Sequence, residues 1–107
     1  MVRREKKVRI DGKEFVVREL SVRDLSKIYN EPDGLELLGR MLIGDPGAIA
    51  KAMVISTGVD EEELLKMGVG DWIKLCDAFR EVNEDFFEAL IAEVKRAMDL
   101  VNLPPPS

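Results

Sequence analysis

The chain predicts a mainly α-helical domain opened by a small N-terminal β-hairpin: an α+β fold, a compact bundle of about five short helices ending in one long C-terminal helix. Three observations carry this. Residues 6–20 alternate apolar and polar side chains around an Asp-Gly pair. From Ser21 onward, apolar residues recur at helical spacing between Pro and Gly breaks. The last periodic segment, from Asn83 to Leu103, is the longest. At 107 residues and 46% hydrophobic, the apolar content suits one modest core and not two. A single domain over residues 1–103 is expected, with Pro104 to Ser107 as a flexible proline-rich tail, because three consecutive prolines cannot continue a helix.

The hairpin is KVRIDGKEFVVREL. Asp-Gly between alternating runs is the signature of a two-residue type I′ turn. With Asp11 and Gly12 as the turn, Ile10 faces Lys13, Val8 faces Phe15 and Lys6 faces Val17. Val8, Ile10, Phe15 and Val17 then share one face. On the other face Arg9 lies opposite Glu14 and Glu5 opposite Arg18, two pairs of opposite charge. A slip of one residue would mix the faces. A lone two-stranded hairpin is marginal in water, so its apolar face needs helices beneath it, and its edges stay open unless another strand or chain covers them.

The period then changes. Ser21 as N-cap with Asp24 three residues on forms a capping-box variant ahead of Val22, Leu25 and Ile28. Pro32 and Gly34 break that first helix, and LELLGRMLI resumes with Leu35, Leu38, Met41 and Leu42. Asp45-Pro46 makes an N-cap and N1 pair for AIAKAMVIST, which should end near Gly58. Asp60 is expected to cap EEELLKM, whose three glutamates suit the positive end of a helix dipole. In GVGDWIKLCDAFREVN the apolar stripe is Trp72, Leu75, Cys76, Phe79 and Val82. Asn83 or Asn83-Glu84 marks the break before the final helix.

Several chemistries are closed by composition. With no histidine and one cysteine, Cys76, the chain lacks the commonest general base, a zinc-type ligand set and an internal disulfide. No catalytic residue, metal site or cofactor is expected, and the protein is read as a non-enzyme. Cys76 lies on an apolar stripe and reads as a small hydrophobe. Glu61, Glu62 and Glu63 read as helix-start solvation. Gly68 and Gly70 lack the GK[ST] of a phosphate loop and read as helix punctuation. No apolar run reaches membrane-spanning length and the N-terminus lacks a signal-type apolar core, which gives a cytoplasmic expectation.

Charge is unevenly distributed. Residues 1–23 hold 8 Lys/Arg and 4 Asp/Glu, a net of +4, whereas residues 24–107 hold 8 and 17, a net of −9. Such polarity serves solvation, attracts an anionic partner to the head, or lets the head of one copy meet the body of another.

The final helix raises a sharper question, because Phe86 and Phe87 are adjacent and helical neighbours point about 100° apart. On a wheel, Phe86, Ala97, Leu90, Val101, Val94, Phe87, Met98 and Ile91 fill an uncharged arc of about 140°, wider than an ordinary amphipathic stripe. The arc fits a helix wedged between two layers of its own domain, or one that packs with one flank and meets a partner with the other. On the second reading Phe86 faces the core, while Phe87, Ile91 and Met98 form the partner-facing flank. Phe15 and Val17 are further partner-binding candidates on the hairpin. Val8, Ile10, Arg9 and Glu14 are candidates for self-association through it.

The succession of KKVRIDGKEFVVREL, a Ser-capped helix at SVRDL, several short helices and a late VNEDFF entering the last helix resembles the small tail assembly chaperones of long-tailed bacteriophages and prophages. The resemblance covers most of the chain. Val82, Asn83, Asp85, Phe86 and Phe87 match that family's late motif, with Glu84 where proline or another residue is frequent, and Asp11-Gly12 with Val17 to Leu20 match its opening. The middle helices match in length and character. The resemblance implies a non-enzymatic protein in the host bacterial cytoplasm, absent from the finished virion; the open hairpin edges and the charge polarity add the expectation of a homo-oligomer. It would bind the long helical tape measure protein, help recruit tail tube subunits around it, and often be made in a second, longer form by ribosomal frameshifting near the C-terminus. No nucleic acid or membrane partner follows from it. The alternative is a small phage or bacterial regulatory adaptor that binds nucleic acid or protein through the basic N-terminal hairpin.

Overall fold

Asp11 and Gly12 both take positive φ, 51° and 76°, the backbone that a type I′ turn demands and that Gly adopts without a Cβ clash. In the computed structural model, which describes residues 3–101, this turn joins β1 (Glu5–Ile10) to antiparallel β2 (Lys13–Arg18). The register pairs Ile10 with Lys13, Val8 with Phe15, Lys6 with Val17, Arg9 with Glu14 and Glu5 with Arg18, as the alternation requires. The expected tail, Pro104 to Ser107, lies outside the described residues.

Among the described residues six helices follow: α1 (Val22–Tyr29), α2 (Gly34–Leu42), α3 (Pro46–Thr57), α4 (Glu61–Leu65), α5 (Val69–Val82) and α6 (Glu84–Val101). Local chemistry sets their ends. Ser21 and Asp24 form a reciprocal capping box, with Ser21 Oγ accepting from the Asp24 N–H at 3.1 Å and Asp24 Oδ2 accepting from the Ser21 N–H at 2.9 Å. Asp45 caps α3 by accepting from the Gly47 N–H at 3.0 Å, with Pro46 in the first turn. Asp60 occupies the N-cap of α4 without a side-chain bond to it. Gly34 has a packing role that its place in a breaker did not announce: a Cβ built there would sit 2.4 Å from the Ile28 carbonyl oxygen. Only Gly lets α2 start this close to the end of α1.

The core forms where the hairpin lies on the helices. β2 packs against α3 and α5, β1 against α5, and α2, α3 and α4 close the remaining sides. Ile10, Phe15 and Val17 from the hairpin join Leu38, Met41, Met53, Leu64, Leu75 and Phe79 in one buried cluster. Ser56, on α3, accepts from the Arg18 N–H at 3.0 Å and donates to the Arg18 carbonyl at 2.6 Å. One end of the outer β2 edge is thereby satisfied within the chain.

The basic head is also answered internally. Arg3 pairs with Asp24 at 3.3 Å and Arg4 with Asp85 at 3.1 Å. Lys6 pairs with Glu81 on α5 and Lys13 with Glu63 on α4. Both lysines sit on the apolar side of the hairpin, so their stems cover the core margin while their ammonium groups meet the acidic helices. The charge polarity is thus used within one chain. On the outer face the Glu5–Arg18 pair forms at 3.7 Å, but Glu14 pairs diagonally with Lys7 at 3.7 Å and not with Arg9. Strand twist favours diagonal neighbours for long side chains.

A candidate partner-binding face on the last helix

The joint between α5 and α6 is built around Asn83, which is 1% exposed. Its Oδ1 accepts from the Leu20 N–H at 2.8 Å and its Nδ2 donates to the Phe79 carbonyl at 2.9 Å. The side chain therefore ties the exit of the hairpin to the last turn of α5, at the residue where α6 begins. The Arg4–Asp85 pair adds a second link between the head and the first turn of α6. The sequence marks Asn83 as a break and as part of the late motif, but not as a latch. A contact to Leu20, 63 positions away, has no local signature.

From this joint α6 packs briefly and then leaves the body. Phe86, Phe87 and Leu90 are half-buried against the core. Every residue from 91 to 100 is exposed. Ile91, Val94 and Met98 are 45%, 38% and 55% exposed, which is unusual for large apolar side chains spaced along one helical face. Wedging between two layers of the same domain is thereby excluded for this part of the helix. Val101, the last member of the apolar arc, has no described side chain.

The two adjacent rings do not divide as expected. Phe87 stands edge-on to buried Phe79, with centroids 5.9 Å apart, and edge-on to Phe86 at 5.3 Å. Both rings are half-buried, so Phe87 belongs partly to the core it was expected to face away from. Its other side lines a groove of about 380 Å³ between α2 and α6, together with Met41, Leu42, Arg80 and Ile91, rimmed by Glu84 and Glu88. The apolar stripe of α6 runs out of this groove through Ile91 and Val94 to Met98. Val94, Met41 and Leu42 were missed as site residues. Val94 was legible from its place in the arc; Met41 and Leu42 come from a distant helix.

The hairpin candidates need correction. Phe15 and Val17, expected to meet a partner, are core residues, Val17 being fully buried. Ile10, expected at a self-association surface, is buried as well, and Val8 is half-buried against the core. The physical reason is that α3 and α5 cover this face. Arg9 and Glu14 do remain exposed on the opposite face, without the pairing expected between them. A second cavity, of about 350 Å³, lies under the turn and is lined by Ile10, Lys13, Phe15 and Glu63 among others. The Lys13–Glu63 pair lies at its wall.

Burial pushes the Cys76 thiol up to about 11; nearby Arg80 pulls it down by less, and Asp77 adds a smaller upward push. It is therefore protonated at neutral pH and a poor nucleophile. Among the described residues no group of three or more His, Cys, Asp or Glu side chains is placed to hold a metal ion. No described helix is long and apolar enough to cross a membrane. No protein-family model, curated protein or solved structure matches the chain.

Proposed function

We propose that the protein is a non-enzymatic tail assembly chaperone that holds an apolar, helical client, the tape measure protein of a long-tailed phage, and helps bring tail tube subunits to it. The observation that carries this reading is the exposed apolar stripe Ile91, Val94 and Met98, continuous with the Phe87 groove. An amphipathic client helix laid along it would bury apolar surface on both sides and leave polar faces in water. Met98 and Met41 suit such a role because an unbranched thioether re-packs against varied side chains. The family resemblance of the VNEDFF motif supports the same reading, since Asn83 and the two phenylalanines set the joint from which the stripe departs. Binding of nucleic acid by the head gains nothing from the geometry, because Arg3, Arg4, Lys6 and Lys13 are already paired with the chain's own carboxylates.

Co-expression with the tape measure protein of the same genome tests the proposal. The expected result is that the wild-type chain keeps that protein soluble and co-purifies with it at high salt, whereas Val94→Asp folds normally and does neither. A tape measure protein equally soluble with and without the chain would overturn it, as would binding that survives Val94→Asp.

A further inference from the structure

We infer that, in the absence of a client, the α6 stripe is covered by α6 of a second copy, packed antiparallel. Phe87, Ile91, Val94 and Met98 are spaced by four, three and four residues, the alternation of a coiled-coil seam. Two heptads is short for such a seam, but one end of it opens into the groove beside α2. Aligned antiparallel about a twofold axis between residues 92 and 93, Ile91 meets Val94 of the second copy and Phe87 meets Met98 of the second copy. The flexible Met98 side chain then enters the groove lined by Met41, Leu42 and Phe87, where sulfur contacts an aromatic ring.

Charge decides the orientation. Beside the seam on one flank lie Glu88 and Lys95; on the other lie Leu90 and Ala97, without charge. In an antiparallel pair equivalent flanks meet, so Glu88 faces Lys95 of the second copy twice over, and the uncharged flanks meet each other. In a parallel pair unlike flanks meet, and both charges would face uncharged side chains. Glu88 and Lys95 are exposed and make no ion pair among the described residues, unlike neighbouring Arg96, which is held by Glu93 at 2.9 Å. The contact is self-complementary, as a twofold interface must be. It is also small, so the pair dissociates on the order of micromolar concentrations and yields its stripe to a client. Only this last exchange rests on the proposed function; the pairing itself does not.

Sedimentation equilibrium of the full chain tests the pairing. A monomer–dimer equilibrium is expected. Glu88→Lys and Lys95→Glu should each weaken it by about tenfold, and the double variant Glu88→Lys/Lys95→Glu should return it to near the wild-type value, because the facing charges are opposite again. Since both positions are exposed, all three variants should melt with the wild type. A chain monomeric up to about millimolar concentration, a level at which only the weakest contacts dissociate, would overturn the inference. So would a double variant as weak as either single one. Lys95→Glu, which lies outside the groove, also separates the two proposals: a monomeric variant that still holds the tape measure protein supports both, and one that does not, alongside a normal charge-swap rescue, removes the chaperone reading alone.

Discussion

The hairpin and the last helix each present an apolar face bordered by charge, yet the chain closes one and leaves the other open. The hairpin face, Ile10, Phe15 and Val17, meets α3 and α5 and disappears into the core. Its lysines, Lys6 and Lys13, find carboxylates on α5 and α4. On α6, packing ends at Leu90, and Ile91, Val94 and Met98 continue along the same face into solvent. Amphipathicity alone does not say which of the two will need a partner. The difference lies in whether another element of the chain stands opposite, and the Asn83 joint decides that by directing α6 away from the body.

The largest contrast comes from placing a carboxylate on each face. Val17→Asp buries a charge without a partner and should cost more than about 4 kcal/mol, enough to unfold a domain of this size. Val94→Asp should change stability by no more than about 0.5 kcal/mol while abolishing client binding. Chemical denaturation of both variants checks this; similar losses would erase the distinction between the faces.

A smaller contrast concerns the aromatic joint. Phe79, fully enclosed, should lose about 3–5 kcal/mol on truncation to alanine. Phe87, with one side on Phe79 and the other on the groove, should lose roughly half as much and should widen the groove. Equal losses would mean that Phe87 is wholly core and that the groove is not open to a partner.

The smallest effect is one of pH, at Cys76 in the closed region. Burial raises its thiol to about 11, so the folded chain keeps a proton that the unfolded chain releases from about pH 8.5 upward. The contribution is therefore complete below that value and is lost as pH rises toward 11. Stability of the wild type should fall more steeply over this window than that of Cys76→Ala. Parallel slopes would show the thiol to be less buried than its surroundings indicate.

What could be read from residue order follows the range of the interactions involved. The hairpin register, the Ser21–Asp24 box and the Asp45-Pro46 start depend on neighbours a few positions apart, and the structure bears them out. Interactions over long separations were not legible. The Asn83–Leu20 latch and the Lys6–Glu81 and Arg4–Asp85 pairs all depend on which elements the fold brings together. The site shows the same division. The breadth of the α6 arc was visible on a helical wheel, but the assignment of Phe15 and Val17 to a partner failed because the helices that the hairpin's apolar face requires are the chain's own α3 and α5. Phe87 was misplaced for a related reason: a wheel gives its angle and not the distance to Phe79.

The most direct measurement compares the two faces within one molecule. Amide hydrogen exchange, followed by mass spectrometry on the chain at a dilution where it is monomeric, should show residues 91–100 exchanging far faster than residues 8–17 and 75–82. Adding the tape measure protein should slow exchange across residues 87–98 and leave the hairpin unchanged. Protection that appears in the hairpin instead, or a last helix already as protected as the core in the dilute monomer, would contradict the account of α6 as the open face.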